Sequence, residues 1–495
     1  MTAGIAGVSV LILTGALSWT AFRLYRSGCF DRAAIVLALL ALVLQGFAAG
    51  DRQLHAWDER FHAVVAKNLA IHPLTPTLYD DPALPFDPHS WLEGHVWLHK
   101  PPLALWLIAG CLRVFGNSEA AVRLPSLALS AISVFLTYQL GSWLLDRRSG
   151  LLAAYLHAVN GFLLDLASGR TATDHVDAVF IVLVEVAAAL AVVHALRGRR
   201  RIVLVALGLA LGLAILTKWL GALVVLAPWL TLCVGRVSRR QAILSLLAVL
   251  TLAAAVAVPW EIHTRRAFPE EAAFEADYTA RHVFEAVEGH SASAAYYVAG
   301  MPRTFGELIY IPVAWFAWRL ARRGLDRRSV ALAVWAAVPY AVFSLVATKM
   351  PAYVMTAAPA LFLIQAAFWW HVYDALPAAP WRRWGGVLLA LLLLLPLRYG
   401  LERVKPFQGF GLEPAWTRDL RSLPDRLGPG RSVLFGTAHP IEAMFYTPWP
   451  AYSVLPDAAQ VRDLSARGYR VVVLRDDGPP AVLSPETERR LDVQR

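Results

Sequence analysis

DRQLHAWDERFHAVVAKNLAIHPLTPTLYDDPALPFDPHSWLEGHVWLHKPP, residues Asp51 to Pro102, is the first long polar segment of the chain, and apolar runs lie on both sides of it. It opens with the acidic pair Asp58-Glu59 and closes on Lys100-Pro101-Pro102. The chain has 495 residues, 57% of them hydrophobic and only 17% charged, with a mean hydropathy of +0.50. A water-soluble domain of this size would need far more charge on its surface. Apolar runs of roughly 17–25 residues, the length that crosses a bilayer, recur along the sequence. The segment from Asp51 therefore reads as a loop held at a membrane surface, carrying one half of a functional site, in a polytopic α-helical membrane protein.

Working outward from the loop, about twelve spans are expected, at 3–22, 33–49, 124–145, 150–167, 178–196, 202–217, 219–235, 241–260, 304–320, 329–347, 353–373 and 384–398. The first run, Ile5 to Phe22, lacks a basic leading region and a small-residue cleavage site, and reads as a retained span. The net charge of +10 could suggest nucleic acid, but the arginines sit in short loops between apolar runs, as the positive-inside rule requires. Arg23, Arg26 and Arg32, then Arg147-Arg148, Arg197 to Arg201, Arg239-Arg240, Arg322-Arg323 with Arg327-Arg328, and Arg382-Arg383 all fall on one side if residues 102–123 lie along the interface and do not cross. On that count the opposite, outer side receives the Asp51 loop, residues 168–177, a short turn at Lys218, residues 261–303 and residues 348–352, together with the amino terminus and the tail. The tail changes character. Short β-branched runs, Ser432 to Gly436 and Tyr469 to Leu474, flank a helical stretch from Ala458 to Ala466. The expected organisation is a membrane domain over 1–398, including outer loops 51–123 and 261–303, and a small α/β domain over 399–495 on the outer face. The three cysteines, Cys29, Cys111 and Cys233, show neither a disulfide framework nor metal-ligand spacing.

Four polar groups converge on the outer face. Asp58-Glu59 reads either as a solvated interfacial pair or as a general base taking a proton from an acceptor hydroxyl. Lys100 precedes two prolines, which present its ammonium at a rigid corner, either snorkelling or meeting a phosphate. The segment Gly169 to Asp177 carries Arg170, Asp174 and Asp177 between two spans, where acids are costly unless they face a cavity or a partner such as Arg170. Thr348-Lys349-Met350-Pro351-Ala352-Tyr353 gives a second lysine at a proline-broken junction, with Tyr353 either donating to an anionic oxygen or belonging to the interfacial aromatic belt. A carboxylate beside several cations at a membrane surface suits transfer of a group from a lipid-linked phosphate. No P-loop points to a nucleotide.

At this point the sequence resembles the GT-C membrane glycosyltransferases, in particular the ArnT-like and protein O-mannosyltransferase-like group, over roughly residues 50–375. The likeness runs through Trp57-Asp58-Glu59-Arg60, His99-Lys100-Pro101-Pro102-Leu103, Gly116-Asn117-Ser118-Glu119 with Ala121-Val122-Arg123-Leu124-Pro125, and the Arg170 to Asp177 segment. It continues with Pro259-Trp260, Arg281, Tyr296-Tyr297, Ser344, Thr348 to Tyr353 and Pro359-Ala360. The resemblance implies inverting transfer of a sugar from a polyprenyl-phosphate carrier to an envelope acceptor (protein, lipid A or glycan), at the outer face of a bacterial plasma membrane and without a nucleotide. It implies Asp58 as the catalytic acid-base group with Glu59 beside it, Asp174 or Asp177 as a second acid, and Lys100, Arg281, Lys349, Tyr353 and Arg170 around the carrier phosphate. Two departures stand out: His99 occupies the position before Lys-Pro-Pro where ArnT-like members usually have an acid, and one extra span precedes the loop.

The loop is rich in histidine. His55, His62 and His99 could join carboxylates around a divalent ion, but hydrogen-bonded loop histidines are the expected reading, and no cofactor is required. His157 and His194, on apolar runs, read as packing residues. A transporter or lipid flippase would place charges inside the spans, whereas here they cluster at span ends. A non-catalytic scaffold presenting the tail would leave Asp58 and the Lys-Pro corners without a purpose.

Overall fold

The computed structural model describes residues 2–483 apart from 199, 324–325, 378–379, 409 and 476–477. Arg199 of the third basic cluster and residues 484–495 of the expected tail domain lie outside the described residues. Two apolar helices, α1 (Thr2–Arg26) and α2 (Phe30–Ala48), precede the loop. Arg23 and Arg26 end α1 and Asp31 begins α2, charges that suit the two helix dipoles where the chain turns. The extra span is therefore present. Its amino-terminal end reaches the other face, where Gly7 packs on Pro406 so closely that a Cβ would lie 1.9 Å from the carbonyl oxygen.

Inside the loop one helix forms, α3 (Asp58–Leu69), with its two acids in the first turn. After Pro101-Pro102 comes α4 (Leu103–Phe115), apolar but only 13 residues long. That is about 20 Å, too short to cross. Trp106 anchors it by donating to the Pro73 carbonyl at 2.7 Å and meeting the Trp260 ring edge-on. This is the interfacial helix that the arginine pattern demands.

The bundle continues with α5 (Glu119–Leu144), capped by the Ser118 hydroxyl, then α6 (Arg147–Ala158) and α7 (Gly161–Ala167), which make one crossing bent by 58°. α5 and α6 touch at Gly141 and Gly150, where a Cβ on Gly141 would sit 2.3 Å from the facing Cα. α8 (Asp174–Leu196) is followed by α9 (Arg201–Lys218) and α10 (Leu226–Cys233). Lys218 pairs with Asp177 at one end of α8, whereas Trp229 donates to His194 near the other. Those two α8 positions lie about 25 Å apart along the axis. The chain therefore reverses at Trp219, whose φ is +50°, and 202–217 and 219–235 are separate crossings as expected.

α11 (Arg239–Ala267) opens with a capping box between Ser238 and Gln241 and runs parallel to α9, Leu252 against Gly208 and Val256 against Gly212. It leads into α12 (Pro269–Phe284), an amphipathic helix with proline at its start and Glu270-Glu271 in its first turn. The span expected at 304–320 is interrupted: α13 (Tyr296–Phe305) ends at Gly306, φ +93°, and α14 (Tyr310–Arg323) has 14 residues. α15 (Arg327–Leu345), α16 (Ala358–Asp374) and α17 (Trp381–Val404) complete the bundle. Among the described residues nine helices are long and apolar enough to cross a membrane, or ten with the bent α6–α7 pair. The Arg201–Cys233 run counts there once.

The basic clusters share one face. Arg147 pairs with Asp31, Arg148 with Asp374, Arg236 donates to the Ala195 carbonyl, and Arg327 lies against Gly235. The opposite face, the site face, carries the Asp51 loop. One charge departs from the span-end pattern. Glu185, midway along α8, is 1% exposed and accepts hydrogen bonds from the Ser133 and Thr137 hydroxyls, Thr137 also meeting His157. Hydroxyl donors satisfy a buried acid here, which hydropathy patterning does not reveal.

The tail comprises α18 (Ala415–Leu427), β1 (Ser432–Phe435), α19 (Pro440–Tyr446), α20 (Ala458–Ala466), β2 (Arg470–Arg475) and β3 (Gly478–Leu483). β1 pairs parallel with β2, and β2 antiparallel with β3, in the order β1-β2-β3. The unforeseen β3 contains Pro479-Pro480, which lack amide donors and fit only an edge strand. One side of the sheet packs on α20 through Val433, Phe435, Val461 and Val471. The other side shares a core with the loop, where Leu434, Phe445, Trp449 and Val472 meet Leu54, Phe61, Leu78 and Tyr79. Lys67 fastens the two parts by donating to the Met444 and Thr447 carbonyls at 2.6 and 2.7 Å.

Candidate active site

The site grows from the two acids that open α3. Successive helical residues point about 100° apart, so Asp58 and Glu59 face different surroundings. Glu59 turns inward and is completely buried. Arg123 of α5 grips it with two donors, Nε to Oε1 at 2.6 Å and Nη2 to Oε2 at 2.9 Å. The His55 amide donates to Oε2 at 2.5 Å, and His175 meets Oε1 at 3.1 Å. Arg123 also donates to the carbonyls of Ala49, Asp51 and Gln53. Gly169, φ +77°, passes so near that a Cβ there would lie 2.4 Å from Glu59 Oε1. Burial works against the Glu59 charge, but Arg123 and the histidines hold its carboxyl well below the ordinary value; against burial and the Arg123 charge, the Glu59 and Asp51 carboxylates raise His55 to about 9. Glu59 is thus the hub that fixes the loop on the bundle and does not line the cavity.

Asp58 faces a cavity of about 240 Å³. Its carboxylate accepts from the Thr173 amide at 2.7 Å, at a residue with φ +67° that starts α8. Burial favours the protonated acid, but Lys100 foremost, then His62, the Thr173 amide and Lys218, hold it below the usual carboxylate range. The cavity wall also contains Lys100, Asp177, Lys218 and Tyr353, together with His99, His282 and Glu288, and Phe180, Phe343 and Met350 as apolar surface. Lys218 Nζ lies 2.5 Å from Asp177 and over the Tyr353 ring at 5.0 Å. A carboxylate and two ammonium groups, drawn from residues 58, 100 and 218, therefore meet in one cleft on the site face.

The remaining candidates are elsewhere. Asp174, 1% exposed, bonds His62 Nδ1 at 2.9 Å behind the cavity, so of the two α8 acids only Asp177 reaches the wall. Arg170 pairs with Asp51 at 3.1 Å and donates to the Arg403 carbonyl, and it makes no pair with Asp174. Arg281 is ion-paired with Glu285 one turn along and faces solvent. Lys349 is 5% exposed and donates to the carbonyls of Phe343, Ser344 and Val346, closing the end of α15 behind the wall. The lysine-proline junction therefore brings Tyr353 to the cavity but keeps the lysine as a cap.

Lys218, His282, Thr173 and Glu288 line the site without having been singled out. Lys218 had a legible signal, a lone lysine closing an eighteen-residue apolar helix on the site face. His99 stacks on Trp91 at 4.5 Å and lies 3.4 Å from Glu275 of α12. Burial, then the neighbouring Lys100 charge, keeps His99 well below its ordinary value, while burial raises Glu275 to about 7. The acid beside His99 is thus Glu275 of α12, which does not line the cleft. Among the described residues no three His, Cys, Asp or Glu side chains converge as a metal site; His55, His62 and His99 each face separate acids.

Residues 99–263 match the family model described as dolichyl-phosphate-mannose-protein mannosyltransferase. An undecaprenyl phosphate-alpha-4-amino-4-deoxy-L-arabinose arabinosyl transferase of Pseudomonas aeruginosa is 31% identical over 291 residues, 54% of this chain and 49% of that protein. A putative mannosyltransferase, YycA of Bacillus subtilis, is 24% identical over 284 residues, covering 56% and 37%. The chain spans about half the length, or less, of these two curated relatives. Among solved structures, ArnT from Cupriavidus metallidurans bound to undecaprenyl phosphate superposes with a TM-score of 0.64 at 18% identity, covering 93% of this chain and 94% of that one. The oligosaccharyltransferase of Archaeoglobus fulgidus gives 0.60 at 13% identity, covering 89% and 69%. The chain has the GT-C fold, in its ArnT-like form.

Proposed function

We propose that this chain is an inverting glycosyltransferase that moves a sugar from a polyprenyl-phosphate carrier to an acceptor in the cell envelope. The observation that carries the reading is the single cleft in which Asp58 faces Lys100 and Lys218 above apolar side chains. In this reading Lys100, Lys218 and the Tyr353 hydroxyl hold the carrier phosphate, and the apolar wall takes the first units of its chain. The acceptor oxygen attacks the anomeric carbon from the side opposite the phosphate. The carbon–oxygen bond to phosphate breaks, its electron pair leaves with the carrier, and the acceptor proton passes to Asp58. The two ammonium groups offset the charge that builds on the leaving phosphate, and no metal is needed for that part.

Asp58 is a weak base while the cations hold it ionised. Phosphate arriving at Lys100 and Lys218 weakens that hold and raises its basicity when the acceptor is to be deprotonated. Asp177 keeps Lys218 in place, and Glu59, Asp174, Arg170 and Lys349 position the loop and the surrounding helices. The site face is proposed to look outward from a bacterial plasma membrane, because the arginine-rich loops occupy the other face. The tail is proposed to act as a brace for the loop.

Mass spectrometry of envelope lipids, glycans and proteins from cells with and without this chain tests the reading. The expected result is loss of one sugar from one acceptor class, with accumulation of the matching polyprenyl-phosphate sugar, reversed by the parent chain and not by Asp58→Asn. Identical envelopes and carrier pools would overturn it.

A further inference from the structure

A second cavity, of about 360 Å³, lies between α17 and the bundle and shares no residue with the Asp58 cleft. It descends from the site face into the membrane. At the rim stand Arg303, Glu307, Tyr399, Arg403 and Glu402, the last paired with Arg398 at 2.8 Å; deep in it are Trp369, five residues from the far end of α16, and Leu389, near the start of α17. Arg403 and Leu389 are separated by about 21 Å of helix. Below the rim the walls are mostly apolar, and at about 30 Å³ for a water-sized group the volume accommodates roughly a dozen such groups. Its apolar walls disfavour water and suit an apolar occupant.

Two polar groups in it have no partner among the described residues. Arg303 at the rim makes no ion pair, whereas Arg403 is held by Asp165 at 2.9 Å and Glu307 receives the Tyr399 hydroxyl. Gln365, only 6% exposed, lines the cavity and takes part in no described hydrogen bond. α17 itself is loosely held, with 6% of its apolar window buried, so the cavity is reachable from the surrounding lipid.

We propose that this cavity is a binding site for an anionic glycerophospholipid of the surrounding bilayer. One acyl chain descends between α16 and α17, its carbonyl receives the Gln365 amide, and its phosphate meets Arg303. Because the reacting carboxylate is in the other cleft, this lipid is not the acceptor. It fills the seam that keeps α17 against the bundle, independently of the transferase reading.

The test uses the full chain, purified in mild detergent and offered phosphatidylglycerol or phosphatidylcholine, with native mass spectrometry as the readout. The expected result is one retained phosphatidylglycerol, preferred at least fivefold over phosphatidylcholine. Arg303→Glu should abolish that preference, and Leu392→Trp, which fills the cavity from α17, should abolish retention. Thermal unfolding and gel filtration select variants that are folded. Equal retention of both lipids by the parent, retention unchanged in both folded variants, or a polyprenyl phosphate as the molecule held would each overturn the proposal.

Discussion

Lys218→Met separates the structural from the binding role of the cleft. The Lys218 ammonium and Asp177 carboxylate are 2.5 Å apart, with side chains 11% and 2% exposed. Removing the cation strands a buried carboxylate, a loss that costs about 3–5 kcal/mol of folding stability. Adding Asp177→Asn removes the stranded charge, and replacing both members of a buried pair is often nearly neutral. The double variant should therefore regain most of the lost thermal stability. Carrier binding should not recover. An ammonium donating to a phosphate oxygen contributes about 1.5–3 kcal/mol, roughly 10- to 150-fold in affinity. Asp177 also repels phosphate, so its removal offsets part of the loss and the lower end, about tenfold, is expected. The assay pairs thermal unfolding with binding of undecaprenyl phosphate in detergent micelles. A double variant as stable as the parent that binds this carrier with parental affinity would refute Lys218 as a phosphate ligand.

Four further outcomes follow from the same geometry. Asp58→Asn should lower turnover by about 10²- to 10⁴-fold with unfolding unchanged and carrier binding at least as tight as the parent's, since a like charge beside the phosphate is removed, and near-parental turnover would remove the base assignment. Arg123→Met should destabilise the protein by about 3–5 kcal/mol by leaving Glu59 buried and unpaired, read as a fall in Tm, and an unchanged Tm would contradict its role as the loop's anchor. The low Asp58 value means the base is lost only as pH falls through it, so the acid limb of kcat/KM should lie below pH 3.8, the ordinary aspartate value. In the donor complex that limb should shift upward in kcat, and coincident limbs would argue against phosphate at Lys100 and Lys218. EDTA should leave turnover unchanged within about twofold, whereas loss restored by one metal would return the loop histidines to the site.

Much of this was legible in the sequence for identifiable reasons. Span length and the side on which arginines fall are imposed by the bilayer, so the crossing order, the interfacial α4 and the reversal after Lys218 follow from hydropathy and charge alone. Asp58, Lys100, Tyr353 and the pair Asp174 and Asp177 stood out because polar groups at span ends need a reason, and all but Asp174 line the one cavity. Partnering was not legible. Whether Glu59 or Asp58 faces the cavity depends on a 100° rotation about α3, and Arg123, 64 residues later, decides it. Lys349 and Lys100 both precede proline, yet one caps a helix and the other faces a cleft, because only tertiary packing determines which carbonyls lie within reach. The break of the expected 304–320 span falls at Gly306, whose φ is positive, beside the polar Glu307 in a mostly apolar run.

The core that joins Leu54 and Phe61 to Leu434 and Val472 has a consequence for synthesis. During translation the early half of this core waits for a strand made some four hundred residues later, and contacts so distant along a chain close slowly. Asp58, mounted on that early half and proposed above as the base, gains its final seating only when the last segment docks. A ribosome-bound or prematurely terminated chain thus sits in the bilayer with its helices in place and its chemistry unassembled.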